Sequence, residues 1–414
     1  MNSITKYFLL YFTPLVYWGF YHYVGFNPTY AVYVVMIYTV LLFLYLLPNI
    51  FKRKYGRSSY SWYMKGIICI ILVSMLMAFI FWGQSMLLTY RATVYQFVFL
   101  YYFILVKFKV TQKEITTIIL IFSALYSLLW IIALLNAPFP VFSEDEEIDD
   151  TRGAFRLIIN SLDIIILLYC YSLVWIRQKK HPGFALVALL ICALLILSSL
   201  TRSIMFSVIV VTSLFLLFKA RRRTQVLLVL LLLFTYPAIN SWLENNDTYN
   251  SISELNESQL SDFENSSTRA PEYRIGFLEF KRNPITFVLG SGMAHGNSSY
   301  GKYVQNLHDR FYFDRSDAGY PAIFVTYGLV GLFLFIGLFI KAFFDKSDGG
   351  GLNQYKMYII IIAAVNVLQD ATSWYAIATC MAVYMLEKER LLKLTSRVSP
   401  PKEDHYRQLE SVVE

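Results

Sequence analysis

The chain alternates apolar runs with short polar breaks almost throughout, and one long polar stretch, residues 243–319, interrupts that rhythm. A helix needs roughly 20 consecutive apolar residues to cross the core of a bilayer. On that criterion there are about twelve runs, at 7–25, 30–50, 64–82, 92–108, 115–135, 157–176, 184–199, 203–218, 226–242, 320–343, 357–368 and 374–386. The last two are short for spans, with a tight turn at 369–373 between them, so the expected number is about ten to twelve. Runs this long and continuous predict helices, because a backbone in lipid must satisfy its hydrogen bonds within its own segment. The expectation is an all-α polytopic membrane protein. Transmembrane helices occupy 1–242 and 320–386, a large extracytoplasmic (periplasmic) loop occupies 243–319, and a charged cytoplasmic tail occupies 387–414.

Composition agrees: 57% apolar residues with only 15% charged ones exclude an ordinary soluble domain. The first run lacks the short core and small-residue cleavage site of a signal peptide, so it reads as a retained span. Charge placement then orients the chain. Lys52-Arg53-Lys54, Lys107/Lys109/Lys113, Arg177/Lys179/Lys180, Arg221-Arg222-Arg223, Lys341/Lys346/Lys356 and Lys388/Arg390/Lys393 all fall on one face if the N-terminus is cytoplasmic, as the positive-inside rule expects. Both termini are then cytoplasmic, and the net charge of +8 is explained by topology without a nucleic-acid partner. The four cysteines lie inside predicted spans, so neither a disulfide framework nor a cysteine metal site is expected.

The long loop divides in two. Residues 244–267 are rich in Asn, Ser, Asp and Glu, which favours an extended lead. After them, Ser267 or Thr268 can cap a helix with Pro271 in its first turn, and Asn283-Pro284 stops it. Tyr273, Phe277 and Phe280 fall on one face of that helix, which predicts an interfacial helix with its aromatics in the membrane surface. Gly290-Ser291-Gly292 permits a tight turn, with a phosphate-cradling nest as the alternative. The acidic run at 144–150 reads as solvated loop, and no metal is expected.

Several polar groups stand in costly places. Arg202 opens an apolar run on the sparsely charged side, as a snorkelling end-marker or as a functional cation. Asp163 lies within the run 157–176, with Asn160 three residues before it and Arg152 and Arg156 just outside. It reads as functional or as a partner for a neighbouring helix. Before the run at 320 come His308, Arg310, Arg315 and Asp317. Guanidinium forks match phosphate oxygens, and a histidine or carboxylate can take a proton from a hydroxyl. Tyr300, Tyr303, Phe311 and Tyr312 are candidates to stack on sugars or simply to pack.

These residues resemble a family. Ser198-Ser199-Leu200-Thr201-Arg202, then Arg274-Ile275-Gly276-Phe277 with Asn283-Pro284 and Gly290-Ser291-Gly292, then Asp317-Ala318-Gly319-Tyr320 leading into Tyr327-Gly328-Leu329-Val330-Gly331-Leu332, are similar to short motifs of the O-antigen ligase/polymerase superfamily. Asn160 fits the same pattern. The resemblance implies a metal-independent, C-type glycosyltransferase-like membrane fold without a cofactor, in the bacterial plasma (inner) membrane. Its substrate would be a glycan carried on undecaprenyl pyrophosphate, and its partners the bilayer and a chain-length regulator protein. Arg152, Arg156, Asn160, Arg202, Arg274 and Arg310 would bind pyrophosphate and glycan, while His308 or Asp317 would deprotonate or orient the acceptor hydroxyl. Ligases of the family show His followed by Asn, whereas Asp309 follows His308 here. That departure favours the polymerase branch, with the ligase as the same-fold alternative. A lipid-oligosaccharide transporter is the alternative of another class. It is disfavoured because most charges cluster at span ends and no internal repeat is visible.

Overall fold

The computed structural model describes residues 3–24, 27–51, 59–136, 141, 161–199, 201–217, 269–280, 283–311, 313–315, 318–345, 352–370 and 375–398. The first half of the described residues forms α1 (Ser3–Tyr17), α2 (Pro28–Phe51), α3 (Ser59–Trp82), α4 (Met86–Thr93), α5 (Leu100–Lys107), α6 (Gln112–Asn136), α7 (Leu162–Arg177), α8 (Pro182–Ser198) and α9 (Arg202–Leu217). The second half forms α10 (Arg269–Arg274), α11 (Pro284–Leu289), α12 (Ser299–Phe311), α13 (Tyr320–Phe344), α14 (Gln354–Leu368) and α15 (Ala376–Val398). No strand occurs among the described residues. Helices α2, α3, α6 and α13 are long and apolar enough to cross a membrane, and Pro182–Ser198, Ser203–Leu216 and Gln354–Val367 are shorter apolar helices. The predicted run at 226–242 lies outside the described residues.

The shorter elements have local causes. The run 7–25 breaks at Gly19, whose positive φ of 67° ends the helical path, and a 3-10 turn, Phe20–Val24, follows. The run 92–108 is not one helix. Ser85 caps α4 at 3.4 Å from the Leu88 N–H, the turn Val94–Phe99 is 3-10, and only then does α5 begin. Thr89 and Thr93 bond back to carbonyls four residues earlier, at 3.0 and 2.8 Å. That competition bends a helix. The charged segment after Leu386 is not a free tail at its start, because α15 runs on to Val398 and Glu387 is buried against the Tyr102 hydroxyl.

Two kinds of surface follow. Ile37, Leu41 and Leu44 of α2 and Leu194 and Phe206 of α8 and α9 are well exposed, as suits helices that face lipid. By contrast α15 is buried from Ala376 to Leu386 and packs against α3, α5, α7 and α14. Hydroxyl contacts bind the N-terminal helices: Thr13 to Tyr38 at 2.5 Å, Tyr17 to Thr39 at 2.9 Å and Tyr21 to Tyr95 at 2.6 Å. Such bonds hold helices together where lipid offers no polar partner.

The contacts also sort the chain into two ends. At one, Lys6 pairs with Glu114 at 2.5 Å, Tyr60 reaches Asp345 at 2.8 Å, Lys388 reaches the Val110 carbonyl at 3.1 Å and Asn353 reaches Glu389 at 3.0 Å. Lys107, Lys341 and Lys356 lie there too, which makes this a basic end. The described part of the long polar stretch gathers at the other, the loop end, on Trp82, Gln84, Pro321 and Thr326.

Candidate functional site

The loop end is assembled around an interruption in α13. Gly328 has φ 67° and ψ −168°, so the helix loses its regular path there. The carbonyls of Val325 and Thr326 then lack their usual partners within the helix. Ser291 and Gly292 supply them, their N–H groups donating to Val325 at 2.8 Å and Thr326 at 3.0 Å. The Gly290 N–H is used as well, by Thr286 at 2.8 Å. The Gly290-Ser291-Gly292 segment is therefore a tight turn whose amides are all engaged, and no phosphate-cradling nest is open. Its position needs glycine: a Cβ on Gly292 would stand 2.4 Å from the Ser74 carbonyl oxygen. Ser74 lies eight residues before the end of α3, about 12 Å along the helix. The segment thus re-enters the bundle between α3 and α13, with α11 packed on both. Irregular backbone at that depth is tolerated because protein groups satisfy it.

The elements around this hook follow from their sequence. Asn283 stops the preceding helix and caps α11, accepting the Thr286 N–H at 2.8 Å. The predicted helix from 269 is α10 continued by a π-helical turn, Ile275–Glu279, closed by the Phe280 N–H on the Ile275 carbonyl at 2.8 Å. It does not lay its aromatics in a membrane surface. Phe277 packs on Phe324 at 5.4 Å, and Phe280 is buried among Trp82, Tyr300 and Phe313. Gly276 permits the approach, since a Cβ there would lie 2.6 Å from Pro321 Cβ.

Gln84 fastens the loop to the helices, a role the sequence did not signal. Its Nε2 donates to the Met293 carbonyl at 2.8 Å, and its Oε1 accepts from the His295 N–H at 2.9 Å and the Ser298 hydroxyl at 2.7 Å. His295 accepts the Asn297 N–H on Nδ1 at 3.2 Å, which leaves the proton on Nε2. Burial, and then the charge of Arg91, hold its pKa below the usual imidazole range.

The sequence-predicted residues are only partly brought together. Arg152, Arg156, Asn160 and Asp317 lie outside the described residues. Arg202 is the first residue of α9. Arg274 is exposed and pairs with Glu279 at 2.6 Å. His308 and Arg310 are exposed in the last turn of α12, but two positions apart they project about 160° from one another around the helix. The pair does not form one anion site by itself. Tyr300 and Tyr303 are not open sugar platforms: Tyr300 stacks on Trp82 at 4.1 Å and Tyr303 lies 5.0 Å from the same ring. Phe311 remains exposed, and Tyr312 is outside the described residues. Asp163 sits in the first turn of α7, fully buried, where Oδ2 accepts the Ala378 N–H at 3.1 Å and Oδ1 the Ile164 N–H at 2.8 Å. It caps the start of α15 from a neighbouring helix, which is a structural role. Among the described residues no group of three or more His, Cys, Asp or Glu is assembled.

One convergence was not foreseen. The Ser203 hydroxyl donates to Gln369 at 3.4 Å, which sets the head of α9 beside the turn between α14 and α15. Asp370 belongs to that turn and has a partner of its own. Arg315 touches the sulfur of Met293, the residue after the re-entrant hook.

Residues 185–336 match the family model described as O-antigen ligase. The matched stretch runs from α8 into α13 and includes the head of α9, the re-entrant hook and the break. No curated protein matches the chain. Members of the matched family are membrane glycosyltransferase-like enzymes, in keeping with the lipid-facing apolar helices described above. The match over residues 185–336 supports the O-antigen ligase/polymerase superfamily for this stretch of the chain.

Proposed function

We propose that the protein polymerises oligosaccharide repeat units carried on undecaprenyl pyrophosphate, at the outer face of the bacterial plasma membrane. The observation that carries this reading is the family match over 185–336, which includes the head of α9, the re-entrant hook and the break in α13. In the reaction, an acceptor sugar hydroxyl attacks the anomeric carbon of the growing chain. The bond from that carbon to the pyrophosphate oxygen breaks, and undecaprenyl pyrophosphate leaves with the electron pair. Negative charge gathers on the leaving group, so fixed cations lower the barrier. Arg202 at the head of α9 and Arg274, released from Glu279, serve in that role, with Arg152, Arg156, Asn160 and Arg310 completing the contacts to pyrophosphate and glycan. His308 or Asp317 takes or directs the hydroxyl proton. A chain-length regulator is the expected protein partner. The basic end faces the cytoplasm on this reading, with about ten to twelve spans in all.

The second reading is a ligase that passes finished glycan to a lipid A-core acceptor. It is supported by the description of the matched family, while Asp309 after His308 supports the polymerase. Glycan length separates them: loss of a polymerase leaves single-repeat chains, and loss of a ligase leaves long unattached ones. Arg202→Ala and Arg274→Ala are each expected to abolish lengthening without loss of membrane-inserted protein. Full-length polymer from either variant would remove that arginine from the scheme, and a strict need for divalent cations would count against arginine in place of a metal.

A further inference from the structure

The start of α12 is tied down through one histidine. The Ser298 N–H donates to the His295 carbonyl at 2.9 Å, and the Ser298 hydroxyl lies 2.7 Å from both that carbonyl oxygen and Gln84 Oε1. The same hydroxyl accepts the Gly301 N–H at 2.9 Å, so it caps the helix that the turn begins. Ser299 and Tyr300 then fix the first turn of α12 on Trp82, by a hydrogen bond of 3.1 Å to its carbonyl and by ring stacking at 4.1 Å. The imidazole closes the turn. Its Nδ1 accepts the Asn297 N–H at 3.2 Å, while the His295 backbone N–H is held by Gln84 at 2.9 Å. That acceptor exists only in the neutral ring, because the Nδ1 lone pair is where an added proton must go.

His295 is half-buried, so solvent protons reach it. Of the charged groups on the elements packed here, Arg91 of α4 acts on the ring, Arg315 lies against Met293 two residues earlier, and Lys302 is exposed in the first turn of α12. All three are cations, and none favours an imidazolium. We propose that His295 is an acid-sensitive latch on α12: neutral, it closes the turn; protonated at Nδ1, it sets a donor against the Asn297 N–H and the turn opens. In the open turn the imidazole takes up a proton in its usual range, whereas in the closed turn burial and Arg91 hold it below that range. Closure is therefore complete above the usual imidazole range and is lost as pH falls through the lowered one. α12 carries His308 and Arg310 in its last turn. The functional consequence rests on the lipid-linked glycan reading above: acid outside the cell loosens the helix that presents those residues, and chain lengthening slows.

Hydrogen–deuterium exchange of the full chain in detergent micelles tests the latch at about pH 7.5 and about pH 5, on either side of the imidazole range, with rates corrected for the intrinsic effect of pH. In wild type the amides from Asn297 to Val304 are expected to be protected at the higher pH and to exchange several-fold faster at the lower one. His295→Asn, whose side-chain carbonyl can accept an N–H two residues on without titrating, should stay protected at both. His295→Phe, which has no acceptor, should exchange fast at both, and His308→Gln should behave as wild type. Equal corrected rates in wild type, or a pH dependence that survives in His295→Asn, would overturn the latch. So would an acid-induced loss of protection that extends through α3 and α13, since that is unfolding of the bundle. Cellular glycan length in acidified medium judges the link to function separately. Shortening in wild type but not in His295→Asn supports it, and equal length in both removes the link while the exchange result still decides the latch. An unaltered glycan on loss of the protein sinks the underlying reading, whatever the exchange shows.

Discussion

Asp163 is the kind of residue that invites a catalytic assignment, since an ionisable group in an apolar run is costly to insert. Its geometry gives another account. The first N–H groups of α15 have no partners within their own helix, and the Asp163 carboxylate meets one of them at 3.1 Å. Loss of a helix cap costs about 0.5–2 kcal/mol, and burial adds to that penalty. Asp163→Ala should therefore lower the thermal midpoint in detergent, while Asp163→Asn, which keeps an acceptor, should lower it less. An activity loss with an unchanged midpoint in both variants would favour the functional reading of Asp163 instead. The sequence alone could not settle this, because the partner amide is 215 residues away. Gln84 was silent for the same reason: its bonds reach 209 to 214 residues along the chain. Asn283 was legible, since Asn-Pro acts on its immediate neighbours.

Single helices were legible where one long run faces one environment. α2, α3, α6 and α13 follow their runs to within a few residues. The loop helices were legible in position but not in burial, since aromatics at helical spacing serve a membrane surface or a protein core equally well. Here Trp82, held at the end of α3, captured Phe280, Tyr300 and Tyr303. The interruption of α13 was hidden because glycine is common in membrane helices and Gly328 differs only through its surroundings. A Cβ on Gly328 would stand 2.4 Å from both the Gly290 nitrogen and the Val288 oxygen, on a backbone that side chains avoid. Gly328→Ala is expected to cost about 1–3 kcal/mol from the backbone conformation alone, and more from the clash. Gly296→Ala, with open space around it, should be near neutral. Equal thermal midpoints for the two variants would refute the hook.

For the whole molecule, the alternation of basic and non-basic breaks anticipated which segments share an end, and the contacts of Lys6, Tyr60, Asn353 and Lys388 agree. Which end faces the cytoplasm is a prediction from the positive-inside rule. In a Cys69→Ser background, Gly296→Cys should react with a membrane-impermeant maleimide on intact cells, and Lys180→Cys only after permeabilisation. The reverse pattern would invert the topology and with it the outer-face substrate. The loop end was less legible than the helices, because it joins Gln84 and Ser74 of the first half to the hook and the break in α13, which sequence spacing cannot juxtapose.

The central placement of α15 bears on time as well as space. The ribosome makes residues 376–398 after every helix they pack against, so α3, α5, α7 and α14 must reach the membrane with their shared centre still open. Asp163 then stands without the amide that it caps in the finished bundle. Closure of the bundle is then a late event in synthesis, and a chain interrupted before α15 would present an apolar hollow with a buried carboxylate exposed, a form that quality-control proteases can recognise.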